Sequence, residues 1–263
     1  MSLDIVVPVF NAHDMTWRCV THLLLYAAAS PIKWNIIVVN DASTEPADEM
    51  FRFFESRGVT VLHHAENGGC HKSWNTGWRG GSAPYVCFIN NDIVPAPNAV
   101  DLLVSSMLEL DAPYMGALDI SEAGPFDPVK LTTPSGSDLG ALHVKLMTDF
   151  NSFFVTRRPI LERVNGFDDS MKLVFADADF VENLTAATGR GPAVNLSARC
   201  YHGRSVSRKR NGVFRDVEQV MKDQAIFREK WKLRPDVLAK HPPYTRDSAL
   251  SSTQRVWSTE GER

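Results

Sequence analysis

The stretch FINNDIVP, Phe88 to Pro95, carries the sharpest chemical signal in the chain. A continuous apolar run, Tyr85 to Ile89, reads as a buried strand that delivers Asn90 and Asp92 to its carboxyl end, with alternate side chains on one side. A carboxylate beside an amide oxygen offers hard donors that suit Mg²⁺ or Mn²⁺ and leaves positions open for phosphate oxygens and water. The competing reading is an Asx turn that closes the strand. Other chemistry-bearing residues are scattered: Asp41 after WNIIVVN, the glycine turn of NGGCHKSWNTG (Asn67 to Gly77), the acidic ADAD at Ala176 to Asp179, and His202. Glycines let a backbone approach a ligand closely. The acidic pair equally suits a first helical turn, where the helix dipole favours it. A basic run, Arg204, Arg208, Lys209 and Arg210, is either a solvated loop or a holder of diphosphate through charge-assisted hydrogen bonds.

These residues need a scaffold that gathers them. Leu3 to Val9, Trp34 to Asn40, Val59 to His63 and Tyr85 to Ile89 read as strands that are apolar on both faces. Between them lie helical patterns at Met15 to Ala29, Asp48 to Glu55 and His71 to Arg79, with Val20, Leu23, Leu24, Ala27 and Ala28 on one face of the first. Strands of this kind alternating with amphipathic helices predict a mostly parallel sheet covered on both faces, because right-handed crossovers bury both sides. Ligands of such sheets bind beyond the carboxyl ends of the strands, which singles out the turns at Asn11 to Asp14, Asp41 to Glu45 and Asn90 to Asp92. Past a helix at Ala99 to Leu110 the pattern loosens, and Gly116 to Gly140 reads as a long loop or a mixed antiparallel segment. Leu142 to Met147, Ser152 to Thr156 and Pro192 to Leu196 are expected strands, and Arg158 to Val164 and Asp177 to Ala187 expected helices. A final helix is given a packing stripe of Val217, Val220, Met221, Phe227 and Trp231.

Composition excludes several classes. With 263 residues, 44% hydrophobic and 22% charged, the chain is neither disordered nor fibrous. Its net charge of −3 gives no polycationic draw toward nucleic acid, so an anion site must be built locally. No apolar stretch spans a bilayer. Cys19, Cys70, Cys87 and Cys200 lack CxxC spacing and read as reduced thiols, which points to a cytoplasmic setting. Phosphate-loop, GxGxxG, GxSxG and HExxH signatures are all absent. Trp17, Trp78 and Trp257 read as packing residues.

DIVVPVFNA at Asp4 to Ala12, IIVVNDAST at Ile36 to Thr44, NGGCHKSWNTG and FINNDIVP occur in an order and spacing that resemble a family-2 glycosyltransferase of the GT-A fold. NGFDDSMKLVFADADF (Asn165 to Phe180) and CYHGRSVS (Cys200 to Ser207) extend the likeness. The resemblance implies an α/β/α sandwich in a single domain over 1–245, with a nucleotide half at 1–92, an acceptor half at 93–245 and a polar tail at 246–263. It implies a metal-dependent inverting transfer of a hexosyl or deoxyhexosyl unit from a nucleotide-sugar to a hydroxyl of a saccharide or other acceptor. The expected donor is a UDP-sugar, with dTDP- and GDP-sugars as the alternatives.

On the same resemblance Pro8, Phe10 and Asn11 line the nucleotide pocket, and Asp41 bonds the base or ribose or else caps the next helix. Asn67, Gly68, Lys72, Asn75, Asn91 and Arg204 complete the donor site, with Asn75 tying its helix to the nucleotide loop. Asp92 matches the last residue of the metal-binding DxD motif. Asn90 fills the first position as an amide, as in rhamnosyltransferase-like relatives, and His202 is a third ligand for Mn²⁺ or Mg²⁺. Asp177 matches the aspartate of the ED motif and becomes the base, with Ala176 in the usual glutamate position. Asp168, Asp169 and Asp179 fall on the acceptor side. Asn90 and Ala176 also motivate a second class of function, a GT-A-like domain that binds nucleotide or glycan without turnover. A sugar-nucleotidyltransferase is the third, although VPVFNAHD lacks its glycine-rich loop.

Overall fold

A computed structural model describes residues 1–121, 131, 144–146, 152–203 and 216–245. The first half runs β1 (Ser2–Val9), α1 (His13–Ala27), β2 (Lys33–Asn40), α2 (Asp48–Ser56), β3 (Thr60–His63), α3 (Cys70–Gly80) and β4 (Tyr85–Ile89). Then follow β5 (Ile93–Pro95), α4 (Ala99–Glu109), β6 (Tyr114–Asp119), β7 (Val144–Leu146), β8 (Phe153–Arg157), α5 (Arg158–Val164), α6 (Ala176–Thr188), β9 (Ala193–His202), α7 (Val217–Lys230) and α8 (Pro235–Lys240).

The described strands form one sheet in the order β3-β2-β1-β4-β8-β6-β9-β5, with β7 added onto β9. Pairing among β1 to β4 is parallel. Beyond β4 the sheet is mixed, because β8 runs antiparallel to both β4 and β6 while β6 and β9 are parallel. Helices lie on both faces, so alternate residues of one strand enter different cores. Ile5, Val7 and Val9 of β1 pack with Cys19, Leu23, Phe54 and Leu103 from α1, α2 and α4. Val6 packs on the other face with Trp74 and Trp78 of α3 and Phe180 of α6. A Cβ at Gly77 would sit 2.2 Å from a Val6 methyl, so this glycine is what lets α3 press against β1.

A third, smaller cluster joins Met171, Phe175 and Ala176 to Phe227, Trp231 and Val237, and docks α7 and α8 onto the start of α6. The expected stripe on α7 is corrected here. Phe227 and Trp231 are buried, but Val217, Val220 and Met221 are only half-buried, and Asp223 and Gln224 occupy the inner face. Asp223 belongs inside because its carboxylate accepts from the backbone N–H groups of Leu173 and Val174 at 2.7 and 3.0 Å and from Gln219 Nε2 at 2.6 Å.

Two strands outrun their sequence signals. β6 already begins at Tyr114, and its Tyr114, Met115 and Ala117 are core residues. β9 continues past Leu196 to His202 across a register shift, where Asn195 Oδ1 accepts from the N–H groups of Ser197 and Ala198 and so replaces lost ladder bonds. The basic run at Arg204, Arg208, Lys209 and Arg210, Trp257 and the 246–263 tail lie outside the described residues, as does most of Gly116 to Gly140. Cys19, Cys87 and Cys200 are buried free thiols, and burial pushes all three up from the ordinary thiol value. No described helix is long and apolar enough to cross a membrane.

Candidate active site

The carboxyl ends of β1, β2 and β4 open on a cavity of about 990 Å³, at the upper end of the range for ligand pockets. Its walls include Pro8 and Phe10 after β1, Asp41 after β2, Asn67 and Cys70 at the start of α3, and Asn90, Asn91 and Asp92 after β4. Because β8 runs the other way, it is the residue before it, Ser152, that reaches the same opening. Asp177, His202, Lys172, Phe175, Gln219 and Tyr244 close the far side. Residues as far apart in sequence as Pro8 and Tyr244 thus line one cavity.

Asp41 is 3% exposed, and its carboxylate is fixed from several directions. Gly68 N–H donates to Oδ1 at 2.9 Å, Gly69 N–H to Oδ2 at 2.7 Å, and His64 Nδ1 lies 2.7 Å from Oδ1. The His64 Nε2 in turn meets Thr76 Oγ1 at 2.8 Å. An ionised carboxylate has about four acceptor sites, so these bonds leave one free to accept from an N–H or O–H of a ligand. The alternative reading of Asp41 as a cap for the next helix is not what the geometry holds: α2 starts at Asp48 behind its N-cap residue Ala47 with no side-chain cap, and Asp41 instead secures the approach to α3. Gly69, at φ +88°, makes that approach in a conformation glycine tolerates best.

Asn11 is buried behind the cavity rather than lining it. Its Oδ1 accepts from the N–H groups of Thr44 and Glu45 at 2.8 and 3.0 Å, welding the loops after β1 and β2 together. Asn75 likewise does not reach the cavity, and its tie runs to a different place than expected. Its Nδ2 donates to Phe167 O at 2.8 Å and its Oδ1 accepts from Phe167 N–H at 3.0 Å, joining α3 to the GFDD turn instead of the nucleotide loop. Lys72 points away, with its ammonium 3.9 Å from the Glu66 carboxylate. Gly68 stands behind Asp41, and Arg204 is outside the described residues.

At the centre, Asp92 Oδ1 and His202 Nε2 lie 3.3 Å apart, while His202 Nδ1 is 3.8 Å from Asp119 Oδ2. The pairing of β5 with β9 sets this up, since Ile93 is registered opposite His202 and Gly203 N–H donates to Asp92 O at 2.8 Å. Two donors on one divalent ion at ~2.1 Å sit about 3 Å apart, so the carboxylate and imidazole fit as neighbouring ligands of such an ion. Mg²⁺-type sites commonly use one or two protein ligands and leave the rest to phosphate and water. Among the described residues no group of three or more His, Cys, Asp or Glu forms a metal cage. Asn90 Oδ1 is in contact with the Cys70 thiol, which donates to it at 3.5 Å.

Asp177 and Asp179 share the first turn of α6 but face different surroundings. Asp177 is half-buried and lines the cavity. Asp179 is 1% exposed and points into the protein, where Trp231 Nε1, Lys230 Nζ and Asn183 Nδ2 donate to it at 2.7–2.8 Å. Asp168 accepts from Ser170 and from Lys230, and Asp169 is exposed; neither lines the cavity. Burial raises the Asp168 carboxyl, but the bonds from Ser170 and Lys230 outweigh it and hold the group below the ordinary value. Asp119, His64, Lys172, Gln219 and Tyr244 escaped the sequence reading. An acidic residue at the end of a core strand was a usable signal for Asp119, as the strand-end turn was for Asp92.

A family model described as Glycosyl transferase family 2 matches residues 4–164. Among curated relatives, "Glycosyltransferase GlyG" of Streptococcus pneumoniae is 28% identical over 112 residues, covering 42% of this chain and 36% of that protein. The chain therefore spans only about a third of that relative's length. Among solved structures, S. aureus TarS 1–349 in complex with UDP-GlcNAc superposes with a TM-score of 0.62 at 14% identity, covering 95% of this chain and 75% of that one. GalNAc-T7 with UDP, GalNAc and Mn²⁺ gives a TM-score of 0.59 at 12% identity over 76% of this chain and 43% of that one. At such identities the likeness is one of fold.

Proposed function

The chain belongs to glycosyl transferase family 2, and from that premise we propose that it is a metal-dependent, inverting hexosyl- or deoxyhexosyltransferase that moves a sugar from a nucleotide-sugar to a hydroxyl acceptor. The observation that carries this reading is the convergence of Asp41, Asp92, His202 and Asp177 on one cavity at the carboxyl ends of the strands. Pro8, Phe10 and Asp41 form the nucleotide end, where the remaining acceptor site of Asp41 selects a base or ribose that presents a hydrogen-bond donor. A UDP-sugar is the first choice of donor, supported by the UDP-GlcNAc held by TarS, and dTDP- and GDP-sugars are the alternatives.

Asp92 and His202 would hold the divalent ion, Mn²⁺ or Mg²⁺, with Asn90 beside them. When bound, such an ion neutralises charge on the diphosphate. Asp177 receives the proton of the acceptor hydroxyl as that oxygen bonds to the anomeric carbon. The bond from the anomeric carbon to the phosphate oxygen breaks on the opposite face, its electron pair leaves with the nucleoside diphosphate, and the configuration inverts. Loop residues 171–175, held by Asp223, keep the start of α6 and hence Asp177 in place.

A thermal-shift series with UDP-, dTDP- and GDP-sugars, with and without Mn²⁺, tests the donor half, since a ligand bound only by the folded state raises its stability. One nucleotide should shift the midpoint, and more so with metal. Metal-dependent release of nucleoside diphosphate then separates turnover from the second reading, a domain that binds without reaction, which Asn90 and Ala176 still motivate.

A further inference from the structure

Part of the far wall of the cavity is built by the segment from residue 216 onward, beyond the reach of the family match. Tyr244 stands at this rim with 37% of its surface exposed, one of the few large apolar side chains left open to solvent among the described residues. It is not loosely placed. Its backbone N–H donates to Gln224 Oε1 at 2.5 Å, Gln224 Nε2 returns a bond to its carbonyl at 3.2 Å, and its ring meets Phe175 edge-on at 5.6 Å. Phe175 immediately precedes α6 and so is two residues from Asp177.

Beside it, Gln219 and Asp216 line the same wall. Both are ordered by α7: Asp216 accepts from Gln219 N–H as the helix cap, and Gln219 Nε2 is anchored on Asp223. A rigid, half-exposed aromatic ring next to an amide and a carboxylate is an amphipathic surface with a defined polar edge. A pyranose has that same division, with C–H groups across one face and hydroxyls around its rim. A flexible alkyl chain would use the ring but offer no hydrogen-bond partner to the remaining acceptor positions of the Gln219 carbonyl oxygen and the Asp216 carboxylate.

We infer that Tyr244 is the platform on which a saccharide acceptor stacks, with Gln219 and Asp216 taking its hydroxyls, so that the acceptor is a carbohydrate. This rests on the transferase reading above and narrows it to a substrate class.

The test uses the full chain with Mn²⁺, the nucleotide-sugar found by thermal shift, and two acceptor panels. One panel holds methyl glycosides of glucose, galactose, N-acetylglucosamine and rhamnose. The other holds non-sugar alcohols: glycerol, a serine peptide and octanol. At least one glycoside should accelerate nucleoside diphosphate release. Tyr244→Ala should raise the KM for that glycoside roughly tenfold or more relative to the donor KM, as expected for a lost stacking partner. Tyr244→Phe and Tyr244→Trp, which keep a flat ring, should restore it. Acceleration by the non-sugar alcohols alone overturns the inference, as does an acceptor KM that does not move in Tyr244→Ala. Poor folding of that variant would show as a weakened donor KM, and the Gln219→Ala acceptor KM then decides in its place. If no nucleotide-sugar binds or turns over, the transferase reading itself fails and the platform falls with it.

Discussion

The two ends of the sheet hold buried carboxylates in opposite states. At the amino end of β1, Asp4 is 1% exposed, stands away from the cavity walls and is paired with a guanidinium. Arg158 Nη2 and Ala83 N–H donate to its Oδ2 at 2.6 and 2.8 Å, and Asn35 Nδ2 donates to Oδ1 at 2.9 Å. Arg158 spends its other donors on the carbonyls of Ala83 and Trp78. At the carboxyl ends Asp41 keeps an acceptor site toward the cavity, and Asp92 and Asp177 line it. The antiparallel β8 serves both ends, since it begins beside the cavity after Ser152 and ends where Arg158 reaches Asp4. A closed network stabilises, and an open one leaves bonding capacity for a ligand.

If that division is right, substitutions at the two ends fail in different assays. Asp177→Asn should lower kcat by about 10²–10⁴-fold, the usual worth of a positioned base, while the melting temperature and the affinity for nucleotide stay near wild type. Loss of nucleotide binding with an intact fold would move Asp177 out of the acceptor chemistry. Asp4→Ala should do the reverse. It leaves a guanidinium and an N–H buried without their carboxylate, a loss of about 3–5 kcal/mol and roughly 10 °C in melting temperature. The folded fraction should retain full turnover. An Asp4→Ala protein that melts normally but is inactive would erase the distinction between the ends.

Much of the first half was legible because its physics is local. Strands buried on both faces are continuous apolar runs, and Tyr85–Ile89 occurs with the bounds expected of it. The rule that sheet ligands sit at strand ends singled out the turns of Asp41 and Asp92, where the cavity opens, whereas His202 was reached only through the family resemblance. What stayed hidden depends on partners far along the chain. Asp223 looks like a solvent residue of α7 until the N–H groups of Leu173 and Val174 are brought to it. The last part of β9 carries Asn195, Ser197 and Arg199, whose polarity masks a strand that a bulge rearranges. The ADAD segment shows the limit best, because two residues along a helix turn a side chain by about 200°. That rotation sends Asp177 to the cavity and Asp179 into the protein, and only the docking of Trp231 reveals which is which.

Asp179 therefore sharpens the comparison inside a single turn. Asp179→Ala strands the Trp231 indole N–H and leaves the Lys230 ammonium with Asp168 alone, at a cost of about 2–3 kcal/mol. Its melting temperature should fall by roughly 4–12 °C, whereas Asp177→Ala should leave it unchanged. Equal melting temperatures for the two variants would contradict the burial that separates them.

The smallest effect concerns Asp168, which shares Lys230 with Asp179. Its carboxyl titrates below the ordinary range in the folded protein, so between that lowered value and the unfolded one the unfolded chain binds more protons. Its contribution to stability is therefore complete above the ordinary carboxylate pKa and disappears as pH falls through the folded value. Asp168→Asn, which cannot titrate, should melt about 1–2 °C below wild type at neutral pH, the scale of a partly exposed ion pair. In acid the two curves should meet. Equal melting temperatures at neutral pH as well as in acid would mean that Lys230 is held by Asp179 alone, and that the GFDD turn is independent of the helix pair closing the far wall.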